Sequence, residues 1–270
     1  MSDHLFRDKA PISTAAWEQI DEEAARALTH YLSSRKLVDF HGPLGFAESA
    51  VPIGRTTDLD ESLVDGVQAR ARRVLPLVEL RTPFSLDRDE LDSVERGALD
   101  PDLDAVVEAA RKAAMAEDLA VFSGFPAAGI TGIIEASPHP TVTISEDYDR
   151  YTDSVAKAVS LLKDAGIPKP YAIALGPRCY RGVIESTEHG GYPLLEHLRL
   201  ILEGPVVWAP AVDGAVVISQ RGGDYELTVG QDLSIGYLSH DASSVQLYLE
   251  ESFTFQVIEP RAAIHLAYAD

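Results

Sequence analysis

Apolar residues recur at helical spacing near the start of the chain, at Trp17, Ile20, Ala24, Leu28 and Tyr31 or Leu32. That is the period of one helix face. Pro11 with Ser13 and Thr14 supplies a start, because a small hydroxyl side chain accepts the free N–H groups of a first turn. The pattern predicts an amphipathic helix over 14–34, its stripe lying either on the protein's own core or in a groove offered to a partner peptide. Residues 41–62 then carry Gly42, Pro43, Gly45, Pro52 and Gly54, with acidic residues from Asp58 to Glu61. So few buriable positions predict an extended arm, which in a compact protein is functional or packs on another chain. Leu75 to Leu80 reads as a strand ending near Pro83.

Asp100-Pro101 has the form of a helix start, a capping carboxylate followed by proline at the first helical position. Val106, Val107, Ala110, Ala113 and Ala114 carry that helix towards Phe122, with Gly124 beyond its end. Residues 152–163 form a second long helix, bearing Val155, Val159 and Leu162 and stopped by Gly166. A short strand follows over 171–175, then helical pieces over 177–187 and 193–203 separated by the turn 188–193. From Val206 the pattern is mostly β: 206–209, 215–219, 225–229, 245–250, 252–258 and 262–268. Alternation is clear at Val245, Leu247, Leu249 and again at Phe253, Phe255, Val257. The run from Arg221-Gly222-Gly223-Asp224-Tyr225 through Gly230-Gln231-Asp232-Leu233-Ser234-Ile235-Gly236-Tyr237 to Val257 reads as β segments joined by tight turns. The order of helices and strands gives an α+β fold.

Composition narrows the class. At 270 residues and 46% hydrophobic content the chain buries a substantial core, as one large domain or two small ones. No apolar run approaches the roughly 18 residues of a membrane span, and the first residues lack the layout of a secretory signal. One cysteine excludes an intrachain disulfide and fits a reducing compartment. The formal charge of −20, from 43 acidic and 23 basic residues, argues against a nucleic-acid partner, which needs clustered cations. It serves either solubility or the attraction of cations and basic cargo.

Catalytic patterns are missing. Glu196-His197 has no second histidine at the helical offset of a zinc protease, and there is no nucleophile elbow or phosphate loop. Gly124, Gly129 and Gly132 are spaced wrongly for a dinucleotide fingerprint. Asp100, Asp102 and Asp104 imitate calcium ligands, but Ala105 and Arg111 stand where a glycine and a glutamate are required. Cys179, between Arg178 and Arg181, is either a thiol of lowered pKa or a small packed residue.

The chain resembles family 1 encapsulins, also called linocin-like bacteriocin proteins, over nearly its whole length. The resemblance is carried by Arg7-Asp8-x-Ala10-Pro11-Ile12, Trp17-Glu18-x-Ile20-Asp21, Arg35-Lys36-x-Val38-Asp39 and Pro76-Leu77-Val78-Glu79-Leu80-Arg81. Phe84-x-Leu86, Glu90-Leu91-Asp92, Glu95-Arg96-Gly97 and the two glycine blocks complete it. It implies the HK97-type phage capsid fold: N-terminal helix and part of the P-domain over 1–45, E-loop over 46–74, and P-domain with its spine helix over 75–129. The A-domain would cover 130–224 and the C-terminal P-domain strands 225–270. It also implies a non-enzymatic, cytoplasmic homo-oligomer, an icosahedral T = 1 shell without nucleic-acid or membrane partners.

Such a shell would take up a cargo enzyme through the cargo's C-terminal targeting peptide, a dye-decolourising peroxidase first and a ferritin-like iron protein second. Carried over by position, the peptide groove would involve Leu28, Leu32, Arg35, Leu37, Asp39, Leu233 and Ile235. The alternatives are ordinary core for Leu28 and Leu32, and a structural ion pair for Arg35 and Asp39. Glu188, His189, Gly190, Gly191 and Tyr192 would form the five-fold pore loop, with the histidine sensitive to mild acid. Some relatives stack flavin on a tryptophan where this chain has Asp89, so no flavin is expected, and no metal either. A phage major capsid protein and a secreted bacteriocin or protease are the other readings; the missing catalytic patterns and missing signal weigh against the last.

Overall fold

The structure, a computed structural model, describes residues 4–61, 63–145, 148–186 and 193–269. Its first half contains α1 (Thr14–Tyr31), β1 (Asp39–His41), β2 (Ala50–Asp58), β3 (Arg70–Pro76) and β4 (Val78–Asp87). Then come α2 (Arg88–Glu95), α3 (Asp104–Phe122), the single turn α4 (Ile133–Ala136), β5 (Val142–Ile144) and α5 (Tyr151–Asp164). The second half runs β6 (Tyr171–Leu175), α6 (Pro177–Glu185), α7 (Leu194–Leu202), β7 (Val206–Trp208) and β8 (Ala215–Ser219). It closes with β9 (Tyr225–Val229), β10 (Ser234–His240), β11 (Ser244–Val257) and β12 (Ala263–Tyr268).

Two five-stranded sheets organise these elements. One has the order β5-β12-β8-β6-β7. Its β6 and β8 are buried at every residue, which is why they read as unbroken apolar runs. Apolar residues of α5, α6 and α7 join β6 and β8 in one core, which also takes in Phe253 and Phe255 of β11. The other sheet is built on β11, flanked on one side by β9 and β10 and on the other by β4, with β1 parallel to β9. Against it pack α1 and α3. Their facing surfaces are rich in alanine, Ala16, Ala24 and Ala27 on α1 and Ala109, Ala110, Ala113 and Ala114 on α3, so the helices approach closely.

A third unit stands apart. Strands β2 and β3 pair antiparallel from Ala50 with Pro76 to Asp58 with Arg70, and most of their residues are exposed. Nine residues of strand reach about 30 Å. This is the extended arm that the glycine- and proline-rich stretch predicts.

Several boundaries differ from expectation: α1 ends at Tyr31 rather than at residue 34, and the strand expected from Leu75 to Leu80 is divided at Leu77 between β3 and β4. Helix α3 begins at Asp104, not at Asp100-Pro101, because the Asp102 carboxylate accepts the Asp104 N–H at 3.1 Å and Glu90 accepts that of Asp102 at 3.0 Å. Strand β4 runs through Pro83, which pairs with Tyr248. It has a single neighbour in its sheet, so the missing N–H is tolerated. The two segments expected at 245–250 and 252–258 are one strand, β11, crossing Glu250-Glu251 without a turn.

Candidate functional site

Helix α1 starts on Ser13, whose hydroxyl accepts the Ala16 N–H at 3.1 Å. Its inward face continues to Leu28, which shares an apolar cluster with Ile20, Leu233, Ile235, Val245 and Leu247. Leu28 and Leu233 are half-buried there, whereas Ile235 is buried. Leu32 is buried at the end of the helix, and Leu37 packs into the other core, around β6 and β8. The seven residues expected at a groove therefore divide between surface and interior.

After α1 the chain turns sharply through Ser33 and Ser34, both fully buried. Asp118 of α3 receives the turn: its carboxylate accepts from Ser33 N at 3.0 Å, Ser34 N at 2.9 Å and the Ser33 hydroxyl at 2.5 Å. Burial pushes the Asp118 carboxyl above its ordinary value, against the pull of these hydrogen bonds.

The turn delivers Arg35 into a nest of carboxylates. Its Nε lies 2.9 Å from Glu117 Oε2, Nη1 2.8 Å from Asp232 Oδ1, and Nη2 2.5 Å from Glu251 Oε1. The Glu117 and Glu251 side chains are 0% and 2% exposed, while Asp232 is 39% exposed. Burial alone would lower the Arg35 pKa, but the carboxylates outweigh it and hold the guanidinium above its ordinary value. Burial and the adjacent Glu117 push the Glu251 carboxyl well above the usual range.

Asp39 secures a different turn. Its Oδ2 accepts the Gly223 N–H at 2.5 Å, and Arg221 clamps Asp224 through Nε at 3.0 Å and Nη2 at 2.6 Å. Gln220 Nε2 donates to Leu37 O at 2.7 Å. Between residues 35–39 and this turn lies a cavity of about 220 Å³. Arg35 and Asp39 thus bind two separate turns of the C-terminal third.

Glu117, Asp118 and Glu251 escape a search for site motifs, yet each carries a periodic signal. Glu117 and Asp118 continue the buried stripe of Ala109/Ala110 and Ala113/Ala114, and Glu251 falls in the alternation between Leu249 and Phe253. Glu188, His189, Gly190, Gly191 and Tyr192 lie outside the described residues. Asp89 is exposed at the start of α2, its N–H donating to Asp87 Oδ1 at 2.7 Å. Cys179 is buried, which raises its thiol pKa despite Arg178, so it is a packed residue. Among the described residues no acidic, histidine or cysteine group could hold a metal ion, and no helix is long and apolar enough to cross a membrane.

Comparison with known proteins places these elements in context. A family model, Linocin_M18, described as the encapsulating protein for peroxidase, matches residues 2–254. The type 1 encapsulin shell protein of Rhodospirillum rubrum is 52% identical over 267 residues, covering 97% of this chain and 95% of its own. That of Rhodococcus erythropolis is 46% identical over 264 residues, covering 98% and 99%. In fold the chain is similar to a virus-like particle protein from Pyrococcus furiosus, with a TM-score of 0.64 at 16% identity over 92% of this chain and 98% of the other.

Proposed function

This chain belongs to the type 1 encapsulin shell proteins, non-enzymatic proteins of HK97-type α+β fold, and on that premise we propose that its shell encloses a cargo enzyme by gripping a C-terminal targeting peptide. The observation that carries the reading is the junction of α1 with the Gly230–Leu233 turn. There Leu28 and Leu233 offer apolar surface, and Arg35 rigidly ties the helix end to Asp232. A rigid apolar seat with a fixed polar edge is what an extended peptide needs for affinity and direction.

The description of the matching family supports a peroxidase as cargo. We take a dye-decolourising peroxidase first and a ferritin-like iron protein second, within a cytoplasmic T = 1 shell. Asp89 offers no aromatic face, which supports a shell without flavin at that position; flavin absorbance that persists in purified shells would overturn this. The main test is co-production of the shell with the source organism's dye-decolourising peroxidase, with and without its C-terminal tail. Electron microscopy and the peroxidase content of purified particles should show closed shells loaded only when the tail is present. Equal loading without the tail, or no loading at all, would sink the reading.

A further inference from the structure

The protein has ten tyrosines and one cysteine, and three of those tyrosines meet around that cysteine. They arrive from separate elements: Tyr148 stands just before α5, Tyr151 opens α5, Cys179 lies in α6 and Tyr268 ends β12. The Tyr148 hydroxyl lies 2.6 Å from that of Tyr268, and the Tyr268 hydroxyl lies 3.2 Å from Cys179 Sγ. The Tyr148 and Tyr151 rings stack at 5.5 Å, and the Arg178 guanidinium covers the Tyr268 ring at 3.9 Å. A side chain on Gly182 of α6 would run into the Tyr148 ring, so the glycine lets that ring lie against the helix.

Counting protons gives this row of groups a direction. A phenol has one O–H to donate. The Tyr148 hydroxyl donates to Arg178 O at 3.0 Å, at the exposed end of the row. Tyr268 must then donate to Tyr148, and the Cys179 thiol to Tyr268. Every hydrogen in the row points from the sulfur towards the surface. The Tyr151 hydroxyl is fully buried beside the same thiol and has no hydrogen-bond partner among the described residues.

Burial decides which chemistry this row supports. It pushes the Cys179 thiol and the Tyr151 and Tyr268 phenols above their ordinary pKa values, so all three stay neutral. A buried, protonated thiol is inert towards peroxides, whose attack needs an accessible thiolate. Transfer of a hydrogen atom carries proton and electron together and leaves no charge in the core, where a charge is costly.

We propose that Cys179 is a sacrificial hydrogen-atom donor for radicals formed at Tyr148, acting through Tyr268. A one-electron oxidant, of the organic-radical class, takes an electron from Tyr148, and the phenol proton leaves to solvent past Arg178 O. The Tyr148 oxygen radical then takes the hydrogen atom that Tyr268 points at it: one O–H bond breaks and another forms. The Tyr268 radical takes the hydrogen atom of Cys179 in the same way, an S–H bond breaking as the O–H bond re-forms. The unpaired electron ends on sulfur, where dioxygen adds through a new S–O bond and the thiol is consumed. These steps lie within one chain and do not rest on the cargo reading.

The test exposes assembled full-length shells, in air, either to photogenerated tris(bipyridine)ruthenium(III), a one-electron oxidant, or to hydrogen peroxide in the dark. Thiol is counted after unfolding, and oxidised residues are located by mass spectrometry, for the wild type, Tyr268→Phe and Cys179→Ser. The photo-oxidant should consume the wild-type thiol and peroxide should not. Tyr268→Phe keeps the ring but removes the O–H link, and should slow thiol loss several-fold. Cys179→Ser keeps a hydrogen bond, but an alcohol O–H is too strong to yield its hydrogen atom to a phenoxyl radical. Oxidation at Tyr148 and Tyr268 should therefore rise several-fold in that variant. A wild-type thiol that survives while tyrosines oxidise would overturn the relay, as would equal thiol loss in Tyr268→Phe. Loss to peroxide at the same rate would also overturn it, by showing direct access to the sulfur. If Tyr268→Phe fails to assemble, the Cys179→Ser shells decide, and tyrosine oxidation unchanged from the wild type counts against the proposal.

Discussion

Arg35 grips the buried Glu117 carboxylate with two nitrogens, Nε at 2.9 Å and Nη2 at 2.6 Å from Oε2. The contact spans 82 residues of sequence and joins the turn after α1 to the C-terminal part of α3. Because Glu251 and Asp232 share the same guanidinium, a single side chain connects the turn after α1 with α3, β11 and the turn before β10.

Removing that side chain leaves Glu117 and Glu251 buried without a cation. Arg35→Ala should cost about 3–5 kcal/mol of stability, the range for breaking a buried ion pair from one side. Calorimetry of purified shells should show a markedly lower unfolding temperature. Arg35→Lys should fall between the two, since an ammonium cannot reproduce the two-nitrogen grip.

The Glu251 carboxyl titrates above the ordinary glutamate value of 4.5. A group whose folded-state pKa is raised contributes its stability below the unfolded value and loses it as pH rises through the folded one. Wild-type shells should therefore lose stability through this group as pH rises above the ordinary glutamate value towards the raised one. Glu251→Gln should flatten that slope, and equal slopes in calorimetry at both ends would refute the assignment.

Asp118 should be replaceable only by another acceptor. Asp118→Ala strands the buried Ser33 and Ser34 N–H groups, at about 1–3 kcal/mol for an unsatisfied donor. Asp118→Asn keeps an acceptor and should retain part of this. Thermal unfolding of the two variants gives the comparison.

Two glycines at positive φ should respond differently to alanine. At Gly214, φ +78°, a Cβ would meet Leu266 O at 2.1 Å, whereas at Gly223, φ +76°, it meets open space. Gly223→Ala should cost about 1 kcal/mol of backbone strain. Gly214→Ala should cost several times more or prevent folding, as read from the yield of assembled particles and their unfolding temperature.

Elements with an uninterrupted period were legible. The stripe from Trp17 to Leu32 found α1, and unbroken apolar runs found β6 and β8 with their bounds, because local burial alone shapes those segments. Strand β11 was not legible as one element. Glu250 and Glu251 look like a break in the middle of an apolar alternation, and only their distant partners make them buriable. Arg35 comes to Glu251 from 216 positions away, and His4 to Glu250 from 246.

Composition and pattern by themselves determined an α+β chain with a helix at its start, an exposed arm and a β-rich end, since each follows from the local spacing of apolar, glycine and proline positions. Which leucines face solvent was decided only by the tertiary structure. A helical or alternating period says that Leu28, Leu32, Leu37 and Ile235 are apolar positions, but not what covers them. Packing buried the last three and left Phe40, Leu44 and Phe46 open, because the chain beyond Asp39 is pinned by its backbone to Val229 and Gly230 with its side chains turned outward.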